Sequence, residues 1–277
     1  MALREGAHFM FLTGAPRTGT HMANAIISSC EGVQPILTEA SPLIRLIERA
    51  HKTLTNSAKR NPGNFFEDSE DAFKTTLSIT RIILDQVASR YNYKLNVLRG
   101  PMLLNFIDLM DDIEQSTEIQ FSWVIMIRDP RDAYCSFKTW NQKRVDRTGV
   151  PIDEDIFEYF LKRFKSSYAQ LNGRDASSKY QIHRYEDVTR DPANFVEALN
   201  KTIDLQLVYK KPVGKWRNSK ADFNLNENIS ADAITPLYDS PINTSSIGRF
   251  ADELSTSEIE KINEKLGDLM LEFGYSE

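Results

Sequence analysis

Cysteine is scarce in this chain: 277 residues hold only Cys30 and Cys135. Two thiols cannot build a disulfide framework, and neither stands in a metal-ligand spacing, so reduced thiols, no metal and a cytoplasmic location are expected. Long apolar runs are missing as well. No stretch approaches the about 18 apolar residues of a membrane-spanning helix, and MALREGAHFMF at the amino terminus lacks the core of a signal peptide. Basic tracts are absent too. Against 39 Asp and Glu stand 34 Lys and Arg, a net charge of −5, which excludes a general nucleic-acid binder and is compatible with a neutral or cationic small partner. There are no repeats and no low-complexity tracts. What remains is 41% hydrophobic residues, enough for a sizeable core, at a mean hydropathy of −0.42.

The informative presence is FMFLTGAPRTGTHM, residues 9–22. Phe9 to Leu12 reads as a buried strand breaking into a Gly-rich turn, and His21 to Ser29 as the helix that follows. Gly14 and Gly19 let the backbone approach an anion, and the amides opening the helix point at it. The Gly14-x4-Gly19 spacing is that of a P-loop. A nucleotide triphosphatase, however, needs Lys and then Ser or Thr next, to hold phosphates and Mg²⁺. Thr20 and His21 stand there instead, and the only cation of the loop is Arg17, inside it. The loop is therefore built for a phosphate-like group handled without metal; a phosphate-free strand–turn–helix is the alternative on this segment alone.

A second segment, WVIMIRDPRDAYCSFKTW (123–140), repeats the strand-to-helix pattern. Val124 to Ile127 is β-rich, and Asp129-Pro130 offers an N-cap followed by proline at the first helical position. Arg128 then falls at the carboxyl end of a strand, where open α/β sheets bind ligands. Ser136 lies two helical turns on, within reach of a shared ligand oxygen. The alternative is a surface Arg128 paired with Asp129 or Asp132. Elsewhere, helices are expected from Ser41-Pro42 (with Leu43, Ile44 and Ile47 as the apolar stripe), over Ser69 to Tyr91, from Asp191-Pro192 to about Ile203, and after the capping box Ser255-x-x-Glu258, stopping at Gly274. Lys94 to Leu98 and Tyr180 to His183 read as strands, and Ser57 to Asn64 as a loop. The alternation predicts one α/β domain over residues 1–277, with a mainly parallel sheet flanked by helices.

With both motifs in hand, the chain resembles the sulfotransferases, enzymes that use 3′-phosphoadenosine 5′-phosphosulfate (PAPS) and release the bisphosphate PAP. The family's loop Pro-(Lys/Arg)-Ser-Gly-Thr is matched by Pro16, Arg17, Thr18, Gly19 and Thr20, and its Arg-x7-Ser by Arg128 and Ser136. HRYEDVTRDP (183–192) is similar to the Arg-Tyr-Glu-Asp segment in which a Tyr, here Tyr185, contacts adenine. SSIGRFADELSTSEIEKINEKLGDLMLEFGY (245–275) looks like the family's closing segment and helix. The resemblance implies that Arg17 is the catalytic cation, with Thr18, Gly19, Thr20 and His21 on the 5′-phosphate. It implies a 3′-phosphate site of Arg128, Ser136, Ser246, Gly248 and Arg249. Met22 replaces an aromatic that stacks on adenine in some relatives.

The implied reaction moves a sulfuryl group to a hydroxyl or nitrogen of a small molecule, in a setting of secondary metabolism. A P-loop kinase or nucleotide hydrolase, and a non-catalytic nucleotide-binding protein of the same fold, stand as the alternatives. The base is less plainly written. Leu98-Arg99-Gly100-Pro101 holds no His where phenol and steroid sulfotransferases carry theirs. Other branches use a Glu after the first helix, which points to Glu39, with His21 as the runner-up; an acid near the Ser41 helix start also suits the helix dipole. Trp140 to Glu154 and Val208 to Ser246 read as inserts, the second as a lid over bound cofactor and acceptor. The oligomeric state is left open, a homodimer being one option.

Overall fold

The structure is a computed structural model, and it describes residues 8–34, 39–91, 93–152, 154–171, 179–203, 205–209 and 242–276. Four parallel strands form one sheet in the order β2-β1-β3-β4: β1 (His8–Gly14), β2 (Leu95–Arg99), β3 (Gln120–Ile127) and β4 (Tyr180–Arg184). Leu12 pairs with Arg99 on one side and Val124 on the other, and Ile127 pairs with Arg184, so all four strands end at one edge. The expected mainly parallel sheet flanked by helices is the architecture found.

Strand alternation sorts the core into two layers. Phe9, Phe11, Phe121, Trp123 and Ile125 face α2 (Ser41–Arg60), α3 (Ser69–Tyr91), α4 (Ile107–Gln115), α5 (Pro130–Thr148), α6 (Ile156–Tyr168) and α10 (Thr256–Glu272). Met10, Leu12, Val124 and Met126 face α1 (Thr20–Ser28), α7 (Tyr185–Arg190) and α8 (Pro192–Asn200). Phe11 stacks on Trp123 with ring centroids 4.3 Å apart, which fixes the two central strands against each other.

Helix ends follow the predicted caps in three places. Asp129 accepts a bond from the Arg131 amide, Asp191 from that of Asn194, and Ser255 and Glu258 form a reciprocal capping box. At α2 the helix starts one residue earlier than expected: Ala40 is the N-cap, and the Ser41 hydroxyl is buried without a hydrogen-bond partner.

Two loop readings are corrected. The segment expected to be a loop from Ser57 is helical to Arg60, because Ala58 is buried and Lys59 and Arg60 suit the carboxyl end of α2. The insert expected from Trp140 is helical as far as Thr148. Trp140 packs against Phe137 (5.3 Å between rings), and the helix stops only where Gly149 adopts φ 68°. Of the lid expected over Val208 to Ser246, residues 210–241 lie outside the described residues. Helices α4 and α6 were not anticipated, their apolar faces being mixed with acids and lysines.

Candidate active site

The loop after β1 is held in its shape by close approaches that only small residues allow. A Cβ on Gly14 would stand 2.3 Å from the Met126 carbonyl oxygen, and one on Gly19 would meet the Tyr185 ring at 2.4 Å. Gly19, at φ 91°, is the N-cap of α1, and no side chain caps that helix. Arg17 also has a left-handed backbone (φ 72°), rare for a residue with a Cβ and a form of local strain kept at functional sites. Thr18 is fully buried, its hydroxyl donating to the Ala15 carbonyl at 2.8 Å. Beneath the loop, the Ala15 amide donates to the Tyr168 hydroxyl (3.1 Å), which itself donates to the Met126 carbonyl (2.9 Å). Burial pushes the Tyr168 phenol far up, so it is a permanent donor.

The second motif meets the first across the sheet edge. Arg17 Nε donates to Ser136 Oγ at 3.0 Å, although 119 residues separate them. Arg128 is 5% exposed. It donates from Nη1 to the Arg17 carbonyl (3.3 Å) and from Nη2 to the Ser246 carbonyl (2.5 Å), with its guanidinium 4.3 Å from the Tyr185 ring centroid. It is not the surface partner of its neighbouring acids: Asp129 pairs with Arg131 at 2.8 Å, and Asp132 turns to the backbone. Asp132 accepts from the amides of Gly248 (2.7 Å) and Phe250 (3.1 Å), and thereby draws the 246–250 segment over Arg128. Burial raises its pKa, while those amides and the charge of Arg128 oppose the rise.

Arg249 opens the short α9 (Phe250–Glu253) and makes a two-pronged ion pair with Glu253, at 2.8 and 2.7 Å, rather than touching Arg128. Met22 is buried in the second core layer, where its sulfur accepts from the Thr189 hydroxyl. Tyr185 is buried, its ring lodged between Gly19 and Arg128.

On the β2 side lies a cluster that the sequence reading did not assemble. Arg99, the last residue of β2 and 3% exposed, sends Nη1 to His21 Nε2 at 2.7 Å and to Glu39 Oε1 at 3.4 Å. A guanidinium can only donate, so His21 Nε2 is the acceptor and the ring proton sits on Nδ1. Burial, then the charges of Arg99 and Arg17, hold the His21 pKa well below its usual value. His183 lies in β4, and burial lowers it to about 4. Both thiols are free and buried, and burial pushes Cys135 up to about 11. Among the described residues no group of His, Cys, Asp and Glu could hold a metal ion, and no helix is long and apolar enough to cross a membrane.

The α/β fold thus sets a Gly-rich loop with one internal cation, Arg17, against Ser136 and Arg128 beyond the end of the neighbouring strand, without the Lys and Ser or Thr that follow the second glycine in a triphosphatase. The chain belongs to the sulfotransferase family, whose sequence model matches residues 10–209. No curated protein matches the chain significantly. Solved structures share its fold at low identity. One is a sulfotransferase domain from the curacin biosynthetic pathway, at 14% identity and TM-score 0.56 over 94% of this chain and 97% of that one. A second is the sulfotransferase domain of the Synechococcus PCC 7002 olefin synthase, at 12% identity and TM-score 0.53 over 96% and 97%. A third, a sulfotransferase from Mycobacterium avium, is 13% identical at TM-score 0.50 over 99% and 78%.

Proposed function

We propose that the chain is a single PAPS-dependent sulfotransferase domain that acts in the cytoplasm on a hydroxyl or nitrogen of a small secondary metabolite. The observation that carries this reading is the junction of Arg17, Ser136 and Arg128, which gathers two guanidinium groups at the mouth of a Gly-rich loop that lacks a P-loop lysine. The residues fit a ligand with phosphate groups at two ends. The first turn of α1 has no side-chain cap, and the buried Nε of Arg128 has no hydrogen-bond partner. Thr18, Gly19, Thr20 and His21 would hold the 5′-phosphate, Arg128, Ser136 and the 246–249 segment the 3′-phosphate, and the Tyr185 ring would flank the nucleotide.

Bound PAPS supplies an activated sulfuryl group and a phosphate leaving group. Arg17 stabilises the charge that grows on the departing oxygen; a guanidinium serves as an electrostatic catalyst and not as an acid. Glu39 takes the acceptor's proton. Its Oε1 faces Arg99, which leaves Oε2 for the proton, and its side chain is 40% exposed and accessible to an acceptor. His21 is unsuited to that task, because Nε2 already accepts from Arg99 and neighbouring cations oppose its protonation. Its Nδ1–H is a donor for phosphate.

Thermal-shift measurements test the reading. PAP is expected to raise the melting temperature well beyond AMP or ADP, since a ligand of the native state stabilises it by mass action and the extra phosphate adds charge-assisted bonds. Equal shifts from ATP and PAP, or a Mg²⁺ requirement, would transfer the case to a P-loop kinase.

A further inference from the structure

The end of β2 sets a buried guanidinium between two groups that can each take a proton. His21 Nε2 and Glu39 Oε1 stand 4.0 Å apart, and Arg99 Nη1 reaches both, at 2.7 and 3.4 Å. The backbone fixes the same trio. The Ala40 amide donates to the Arg99 carbonyl at 2.7 Å. A Cβ on Gly100 would stand 2.4 Å from Ser41 Oγ, so the start of α2 is pressed against the strand end. Arg99 is 3% exposed, whereas the side chains of His21 and Glu39 are 18% and 40% exposed. The guanidinium therefore lies behind the other two and acts on a ligand through them.

A histidine beside a carboxylate ordinarily becomes the cation of an ion pair. Such a pair titrates near neutrality, so the grip on a phosphate and the surroundings of the base would both change with pH. Arg99 removes that pairing. It gives Glu39 a cation that does not deprotonate, and it takes His21 Nε2 as an acceptor, which leaves the ring proton on Nδ1. His21 faces Arg99 from β2, Arg17 from the loop and Glu39 from the segment before α2. Burial, then Arg99, then Arg17 oppose protonation of its ring. The first turn of α1, where His21 lies, also disfavours a cation.

We propose that Arg99 is a positioning residue, which holds His21 as a neutral donor from Nδ1 to the 5′-phosphate and replaces it as the cation beside Glu39. This rests on the sulfotransferase reading and deepens it. One permanent charge divides two tasks between neighbouring groups that would otherwise share a proton. Cofactor binding through His21 is thereby made independent of pH across the range in which histidines normally titrate.

Nitrogen NMR of the histidine-labelled full chain, free and saturated with PAP, reads the tautomer directly, with His21→Asn to assign the signals. In the native chain His21 is expected to carry its proton on Nδ1 and to gain no second one between pH 8 and 5.5. Arg99→Met removes the charge and keeps much of the volume, so His21 should charge within that range by pairing with Glu39. Arg99→Met/Glu39→Gln should undo most of that gain, and Arg99→Lys should behave as the native chain. Calorimetric titration with PAP gives a second readout. The ratio of affinity at pH 5.5 to that at pH 8 should be about fivefold higher in Arg99→Met than in the native chain, since a charged His21 adds a charge-assisted bond to phosphate. A merely structural Arg99 would weaken PAP equally at both pH values. That result, a native ring proton on Nε2, or a native His21 that charges within the range would each overturn the proposal and leave the parent reading standing. The native spectra need no variant, and Arg99→Gln takes the place of Arg99→Met if that chain does not fold. Absence of PAP binding to the native chain would instead overturn the sulfotransferase reading.

Discussion

Arg17 holds a cation in a strained backbone conformation beside Ser136, where its charge is needed most as the leaving oxygen becomes negative, so its contribution should fall on the transition state more than on binding. Arg17→Ala is expected to lower kcat by about 100- to 1000-fold, the usual cost of one such contact, with a smaller loss of PAP affinity. A variant that turns over normally but binds PAP tenfold more weakly would make Arg17 a binding residue. Glu39→Gln, which keeps shape and removes basicity, should cut turnover by about 100-fold or more and leave PAP binding intact. His21→Asn should mainly weaken PAP. Normal rates in Glu39→Gln beside a dead His21→Asn of full PAP affinity would exchange the two roles. Arg17, Arg128 and Ser136 could be found in the sequence because each sits in a short local pattern. Arg99 could not, since its partners His21 and Glu39 lie 78 and 60 residues away and nothing local marks it beyond a charge closing an apolar strand.

Among the elements, α6 supports the loop through one hydroxyl. Tyr168→Phe would leave the buried Ala15 amide and Met126 carbonyl without that partner. A cost of about 1–3 kcal/mol is expected, read as a lower denaturant midpoint at unchanged slope, together with weaker PAP binding. An unchanged midpoint would mean that the loop holds its shape unaided. The strands and capped helices were legible because alternation and caps are local signals. The ends of α2 and α5 were not, because Ala58 and Trp140 are kept helical by packing rather than by propensity. Tyr168 was invisible for the same reason as Arg99: it lies 153 residues from Ala15.

For the whole molecule, half-buried histidines give stability a predictable acid limb. His183, lowered to about 4 by burial, stays neutral in the native state while the unfolded chain takes up a proton near the usual value of 6.5. Its contribution is therefore complete above about pH 6.5 and is lost as pH falls towards 4; His8 and His21 shift in the same direction, and Asp132, with its raised pKa, in the opposite one. Unfolding free energies measured between pH 7 and 4 should fall more steeply in the native sequence than in His183→Asn, and equal slopes would deny His183 this role. The sheet is complete at Arg184, yet Arg128, Arg131, Asp132 and Glu186 each make a further bond with Ser246, Ser276, Gly248 and Tyr275, far beyond it in the chain. A chain cut before Ser246 would therefore keep all four strands and lose the carbonyl and the amide on which Arg128 and Asp132 close.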